Sequence, residues 1–143
     1  MIKILIADDH AIVRQGLRRI PAETSDMVVG GEAQNGEEVL NKVRSGDWDV
    51  VVLDITMPAL GGIEAAARIR RVAPNSKIVF LSQHDSEKIA QAALATGALG
   101  YVTKVAVSTD LIAAVKAVLE GKKFVSKFSG SDSRERTFWI IFS

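Results

Sequence analysis

Val50-Val51-Val52-Leu53-Asp54 is an unbroken run of aliphatic side chains that stops on a carboxylate. Apolar residues in a row, with no polar alternation, predict a strand covered on both faces, as in a parallel sheet flanked by helices. Comparable short runs recur on either side of it. Strands are expected over Lys3–Ala7, Val28–Ala33, Val50–Asp54, Lys77–Ser82 and Gly100–Thr103, with amphipathic helical stretches between them.

Boundary signals agree with that alternation. Asn35 followed three residues later by Glu38 reads as a capping box, with Gly46 as the stop of the same helix. Ser108, with Asp110 in the first turn, opens a last helix whose Leu111, Ile112, Val115, Val118 and Leu119 share one face and which Gly121 closes. Pro21 falls where the first helix should make its last turn, and is expected to end or kink it. Repeated strand and helix units predict an α/β fold, a flavodoxin-like doubly wound five-stranded parallel sheet of strand order 2-1-3-4-5 with helices on both faces.

At 143 residues, 48% apolar and 24% charged, the chain has the composition of one globular domain with a proper core. No apolar run approaches the roughly 20 residues that span a bilayer. The strand-like start Ile2-Lys3-Ile4-Leu5-Ile6-Ala7 does not read as a signal peptide, so no membrane association and a cytoplasmic location are expected, in keeping with the absence of cysteine. Net charge is +1, but residues 1–120 carry 13 Lys+Arg against 15 Asp+Glu, and residues 121–143 carry 5 against 2. A slightly acidic body has no electrostatic footprint for nucleic acid.

In an open parallel sheet the site lies beyond the carboxyl ends of the strands. The residues leaving those ends are Asp8 and Asp9, Asp54, Ser82 and Lys104. Taken singly, an Asp-Asp pair reads as a helix cap, Ser82 as a turn residue and Lys104 as a solvated charge. Their convergence at one end of four strands points to a site. Three neighbouring carboxylates repel and call for a hard divalent cation, for which Mg²⁺ is suited. A carboxylate beside such an ion can attack phosphorus and form an acyl phosphate, with Lys104 and the Ser82 hydroxyl steadying the phosphoryl oxygens.

These residues resemble the receiver domain of two-component response regulators. The resemblance rests on Ile6-Ala7-Asp8-Asp9-His10, on Val51 to Pro58 with Gly61-Gly62, on Leu81-Ser82, and on Gly97-Ala98-Leu99-Gly100-Tyr101-Val102-Thr103-Lys104. The first and last motifs look most like the NarL/FixJ subfamily, whose members carry a LuxR-type helix-turn-helix domain after the receiver. The resemblance implies Asp54 as phosphoacceptor, Asp9 as a direct Mg²⁺ ligand, Asp8 as a ligand through water, and the Thr56 carbonyl as a further metal ligand. It implies Ser82 and Tyr101 as a switch pair that reshapes the face of the fourth helix, fifth strand and fifth helix, although tyrosine also suits a half-buried strand position. Its implied partners are a sensor histidine kinase, a second copy on phosphorylation, and DNA for a full-length parent that regulates transcription. The chain itself reads as a phosphoacceptor and not as an enzyme, apart from self-catalysed phosphotransfer and autodephosphorylation.

Departures from the family pattern fall at Gln83, where a small residue is common, and at the end of the chain. Thr56 and His84 occupy positions where the family tunes acyl-phosphate lifetime. Residues 1–122 read as the receiver domain and 123–143 as a linker remnant or atypical tail too short for a DNA-binding core, so DNA binding by this stretch itself is not expected. Ser133-Arg134-Glu135-Arg136 resembles the start of that missing domain, and Phe138 to Phe142 is unusually apolar for an ending. Two rival readings are a haloacid dehalogenase-like phosphatase and a receiver fold used only for protein contact. The first looks for a second acid where Thr56 stands, and the second for an incomplete acidic pocket.

Overall fold

A computed structural model describes residues 1–83 and 86–128. Its elements run β1 (Ile2–Ala7), α1 (Ala11–Ala22), β2 (Met27–Ala33), α2 (Gly36–Ser45), β3 (Val50–Asp54), α3 (Gly62–Val72), β4 (Lys77–Ser82), α4 (Glu87–Leu94), β5 (Gly100–Thr103), a 3-10 turn (Lys104–Ala106), α5 (Val107–Leu119) and β6 (Phe124–Val125). The strands are parallel and lie in the order β2-β1-β3-β4-β5-β6. The five-strand order is the expected one. β6 is an addition, because a two-residue strand after a glycine carries no periodic signal of its own.

β3 is buried at every residue, as its unbroken apolar run requires. One face of the sheet packs Val39 and Val43 of α2, Ala65 and Ile69 of α3 and Ala90 and Ala93 of α4 around Leu5, Leu53 and Phe80. The other packs Leu17 of α1 and Leu111, Val115 and Val118 of α5 around Ile4, Ile6, Val52 and Leu81. No described helix is long and apolar enough to cross a membrane.

The helix ends follow the local chemistry with one exception. Asn35 caps α2 by accepting from the Glu38 N–H at 2.9 Å, and its amide in turn donates to the Glu38 carboxylate at 3.3 Å. Pro21 sits inside the last turn of α1, which ends one residue later. Gly121, at φ 77°, closes α5 with its N–H on the Val118 carbonyl and that of Lys122 on Ala117. Ser108 is not the opening cap of α5. The chain leaves β5 through the 3-10 turn and is already helical at Val107, with Ala106 in the capping position and no side-chain cap.

At the end of the sheet where β3 starts, β2 carries an extra residue: Ile4 pairs with Val29 and Leu5 with Gly31, leaving Gly30 as a bulge. The Trp48 indole fills the space these glycines leave, so close that a Cβ on Gly31 would stand 2.8 Å from the ring. Lys3 Nζ lies 4.3 Å above that ring. This end is plugged by an aromatic side chain; the opposite end gathers the polar ones. His84 and residues 129–143, including the apolar ending, lie outside the described residues.

Candidate functional site

Asp8, Asp54, Ser82 and Lys104 all emerge at the carboxyl end of the sheet, from β1, β3, β4 and β5. Parallel register sets them level. Asp54 pairs with Leu81, Ser82 with Thr103, and Lys104 follows directly. Lys104 Nζ lies 2.9 Å from Asp8 Oδ2 and 3.4 Å from Asp54 Oδ2, so one ammonium bridges two carboxylates. Both acids are nearly sealed: Asp8 is 0% exposed and Asp54 3%.

The imbalance of charge is written into the acids. Burial, followed by the negative charge of Asp8, pushes the Asp54 carboxyl up to about 6, against the pull of Lys104 and the Thr56 N–H. Burial pulls Lys104 down, yet its hydrogen bond to Asp8 and the charges of both acids hold it above its ordinary value. Asp9 adds a third carboxylate at the rim. Its Oδ1, buried and without a hydrogen bond among the described residues, has His10 Nδ1 3.0 Å away. One ligand atom each from Asp8, Asp9 and His10 lie within 4.8 Å of one another, a geometry able to hold a metal ion. Hard carboxylate oxygens with spare lone pairs suit Mg²⁺, whereas the imidazole is not a donor that ion prefers.

Local structure fixes these groups. The Asp8-Asp9-His10 turn is held by the Asp8 N–H on the Ala33 carbonyl at 3.0 Å, by the His10 N–H on Asp8 Oδ1 at 2.9 Å, and by Arg14 Nη1 on the Asp8 carbonyl at 2.6 Å. Arg14 is itself oriented by Glu32 Oε1 at 2.9 Å, and Arg18 takes the other oxygen of the same carboxylate. The Arg18 and Arg14 guanidinium groups hold Glu32 below the usual carboxylate range. After Asp54, the loop to α3 buries Met57, passes Ala59 at φ 63° and enters α3 at Gly62. A Cβ on Gly62 would lie 2.2 Å from the Asp54 carbonyl oxygen, so only glycine lets the helix start this close to the acid.

Of the residues singled out in the sequence, Asp8, Asp54 and Lys104 are in direct contact, and Asp9 lies at their rim. Thr56 is exposed and touches the site through its N–H, which donates to Asp54 Oδ1 at 3.2 Å. Ser82 is 1% exposed at the neighbouring strand end. Tyr101 is not half-buried: it is 0% exposed, and its ring stands 6.1 Å from that of Phe128. Arg14, Glu32 and Phe128 went unread in the sequence because their partners are distant along the chain. His10 carried a signal, its place directly after the acid pair.

The chain matches the response regulator receiver domain family over residues 4–116. It is 37% identical over 126 residues to response regulator GacA of Pseudomonas syringae pv. syringae, an alignment covering 88% of this chain and 59% of that protein. To response regulator UvrY of Escherichia coli it is 35% identical, covering 88% of this chain and 58% of that one. The chain thus spans somewhat over half the length of these curated relatives. Among solved structures, a LuxR-family two-component response regulator from Aurantimonas superposes with a TM-score of 0.85 at 34% identity, covering 94% of this chain and 97% of that one. The isolated REC domain of RcsB from Salmonella enterica serovar Typhimurium, in the presence of phosphomimetic BeF3-, gives 0.81 at 31% identity over 88% of this chain and 94% of that one. The family match starts within β1 and ends within α5, enclosing every strand end that supplies the acidic pocket, and the chain accordingly belongs to the response regulator receiver domains of two-component signalling.

Proposed function

We propose that Asp54 accepts a phosphoryl group from a phosphohistidine of a sensor histidine kinase. The observation that carries this reading is a buried carboxylate at a strand end, 3.4 Å from the ammonium of Lys104 and sharing that ammonium with Asp8. An Asp54 oxygen attacks phosphorus, the P–N bond breaks, and its electron pair leaves on the imidazole, which takes up a proton. Lys104 then exchanges a carboxylate oxygen for a phosphoryl oxygen, and the Ser82 hydroxyl donates to another. Asp8, Asp9, Asp54 and the Thr56 carbonyl would hold Mg²⁺, which supplies positive charge to the transferring group. Ile12 and Val105, 79% and 91% exposed close to the acid pair and to Lys104, offer apolar footing for the donor.

The consequence is a shift between two packings of Ser82, Tyr101 and the α4-β5-α5 face, biased by the new phosphoryl contacts. Small phosphodonors and water react at the same acid, giving self-catalysed labelling and autodephosphorylation. The full-length parent dimerises through the switched face and regulates transcription by binding DNA in the cytoplasm. A solved relative supports this last step, being a complex of the response regulator RcsB with DNA.

Intact mass after incubation with Mg²⁺ and acetyl phosphate, comparing the chain with Asp54→Ala, tests the acceptor. A Mg²⁺-dependent gain of one phosphoryl group confined to the unsubstituted chain is expected. The same gain in the Asp54→Ala variant would move the acceptor to another residue.

A further inference from the structure

After Gly121 turns the chain back, Phe124-Val125-Ser126-Lys127-Phe128 lies along the edge of β5. Val125, Ser126 and Phe128 are 1%, 0% and 6% exposed, whereas Lys127 faces solvent. Its attachments converge on a few residues. The Phe124 N–H donates to the Leu99 carbonyl at 2.9 Å and the Ser126 N–H to the Tyr101 carbonyl at 2.8 Å. The Ser126 hydroxyl accepts from the Thr103 N–H at 3.2 Å and donates to Asp110 Oδ2 on α5 at 2.7 Å. Phe128 covers the Tyr101 ring at 6.1 Å, inclined by 48°.

The Ser126 end of this segment adjoins the machinery at the strand ends. Thr103 directly precedes Lys104, whose ammonium bridges Asp8 and Asp54. Thr103 also carries a buried hydroxyl without a hydrogen bond among the described residues, so this strand end is left with a polar group to satisfy if it repacks. A Tyr101 ring that swung outward would lose Phe128, and a shift of Lys104 would pull on the Thr103 N–H held by Ser126.

We propose that residues 124–128 form a strap that clamps Tyr101 in its buried position and is coupled to phosphoryl occupancy of Asp54. The proposal rests on the functional reading above and takes the packing seen here, with the Tyr101 ring inside, as the one that the phosphoryl contacts favour. Contacts made only with the ring inside favour that packing, and linkage then requires the phosphoryl group to favour the closed strap by the same factor. The strap makes the unmodified receiver receptive, and it carries the state of Asp54 to the point where the chain leaves the sheet.

Beryllofluoride with Mg²⁺ serves as the probe on the full chain, read by amide hydrogen exchange and by titration. Exchange at Phe124 and Ser126 is expected to slow about fivefold or more when the probe saturates Asp54. Phe128→Ala and, with less loss of packing, Phe128→Leu and Ser126→Ala should weaken beryllofluoride binding by a comparable factor, while Lys127→Ala leaves it unchanged. A chain that binds beryllofluoride at Asp54 with unchanged exchange in the strap, and binds it equally well in the Phe128→Leu and Ser126→Ala variants, overturns the strap alone. A chain that takes up no beryllofluoride dependent on Asp54 overturns the functional reading, and the strap with it.

Discussion

The Asp54 carboxyl carries the cost of its setting in the metal-free protein. Its folded-state value of about 6 lies above the ordinary 3.8, so between those values the folded chain binds more protons than the unfolded one. Stability therefore falls as pH rises through that window and is level above it. The full shift, with the pull of Lys104 already included, corresponds to about 3 kcal/mol as an upper bound, which water reaching the pocket mouth reduces to about 1 to 2 kcal/mol. Asp54→Asn should stabilise the chain by that amount in urea unfolding with EDTA at neutral pH, and by close to nothing near pH 3, below the window. Saturating Mg²⁺ should erase the advantage, because the cation stabilises the wild-type acid more than the amide. An equal gain at both pH values would mean that Asp54 is unstrained. At the end of β4, Gln83 directly follows Ser82 and is exposed. Gln83→Ala is expected to speed acetyl phosphate labelling several-fold by widening the approach to Asp54; an unchanged rate would remove that role.

Two elements deliver the acids to one another, and each does so through a contact remote in sequence. The first turn of α1 reaches back through Arg14, which holds the Asp8 carbonyl and is aimed by Glu32 of β2. Arg14→Met should keep the fold but loosen the Asp8-Asp9 turn, lowering Mg²⁺ affinity about tenfold, as loss of a ligand-orienting partner typically does. Glu32→Gln should follow in the same direction and more weakly. Mg²⁺ titration followed by NMR shifts of the turn amides would show both, and wild-type affinity in Arg14→Met would refute the link. At the second element, α3 begins against the Asp54 backbone. Because a Cβ on Gly62 would meet the Asp54 carbonyl at 2.2 Å, Gly62→Ala must displace the helix or the acid. A loss of about 2 kcal/mol or more in unfolding free energy is expected, together with slower phosphorylation of whatever chain remains folded.

Across the whole molecule, what was legible in sequence was what repeats locally. The unbroken run of Val50 to Leu53 announced a central parallel strand, and four strand ends bearing Asp8, Asp54, Ser82 and Lys104 announced the pocket. What was not legible depends on distant contacts. Arg14 finds Glu32 across the first crossover, the 3-10 turn after Lys104 displaces the helix start expected at Ser108, and Phe124-Val125 is a strand only because β5 offers an unpaired edge. That edge bears on where the folded unit ends. A boundary at Lys122 would leave the β5 carbonyls and Tyr101 open to water and Asp110 without Ser126, whereas one at Phe128 keeps them covered. Burial of Val125 and Phe128 stabilises by about 1.5 to 3 kcal/mol each, offset by the cost of ordering a short segment that is already turned back by Gly121. A chain ended after residue 128 should therefore be more stable than one ended after residue 122 by about 2 kcal/mol in urea unfolding, with a larger m value reflecting the added buried surface. Equal stabilities would place the energetic boundary of the receiver at the end of α5, with the last strand resting on the sheet without supporting it.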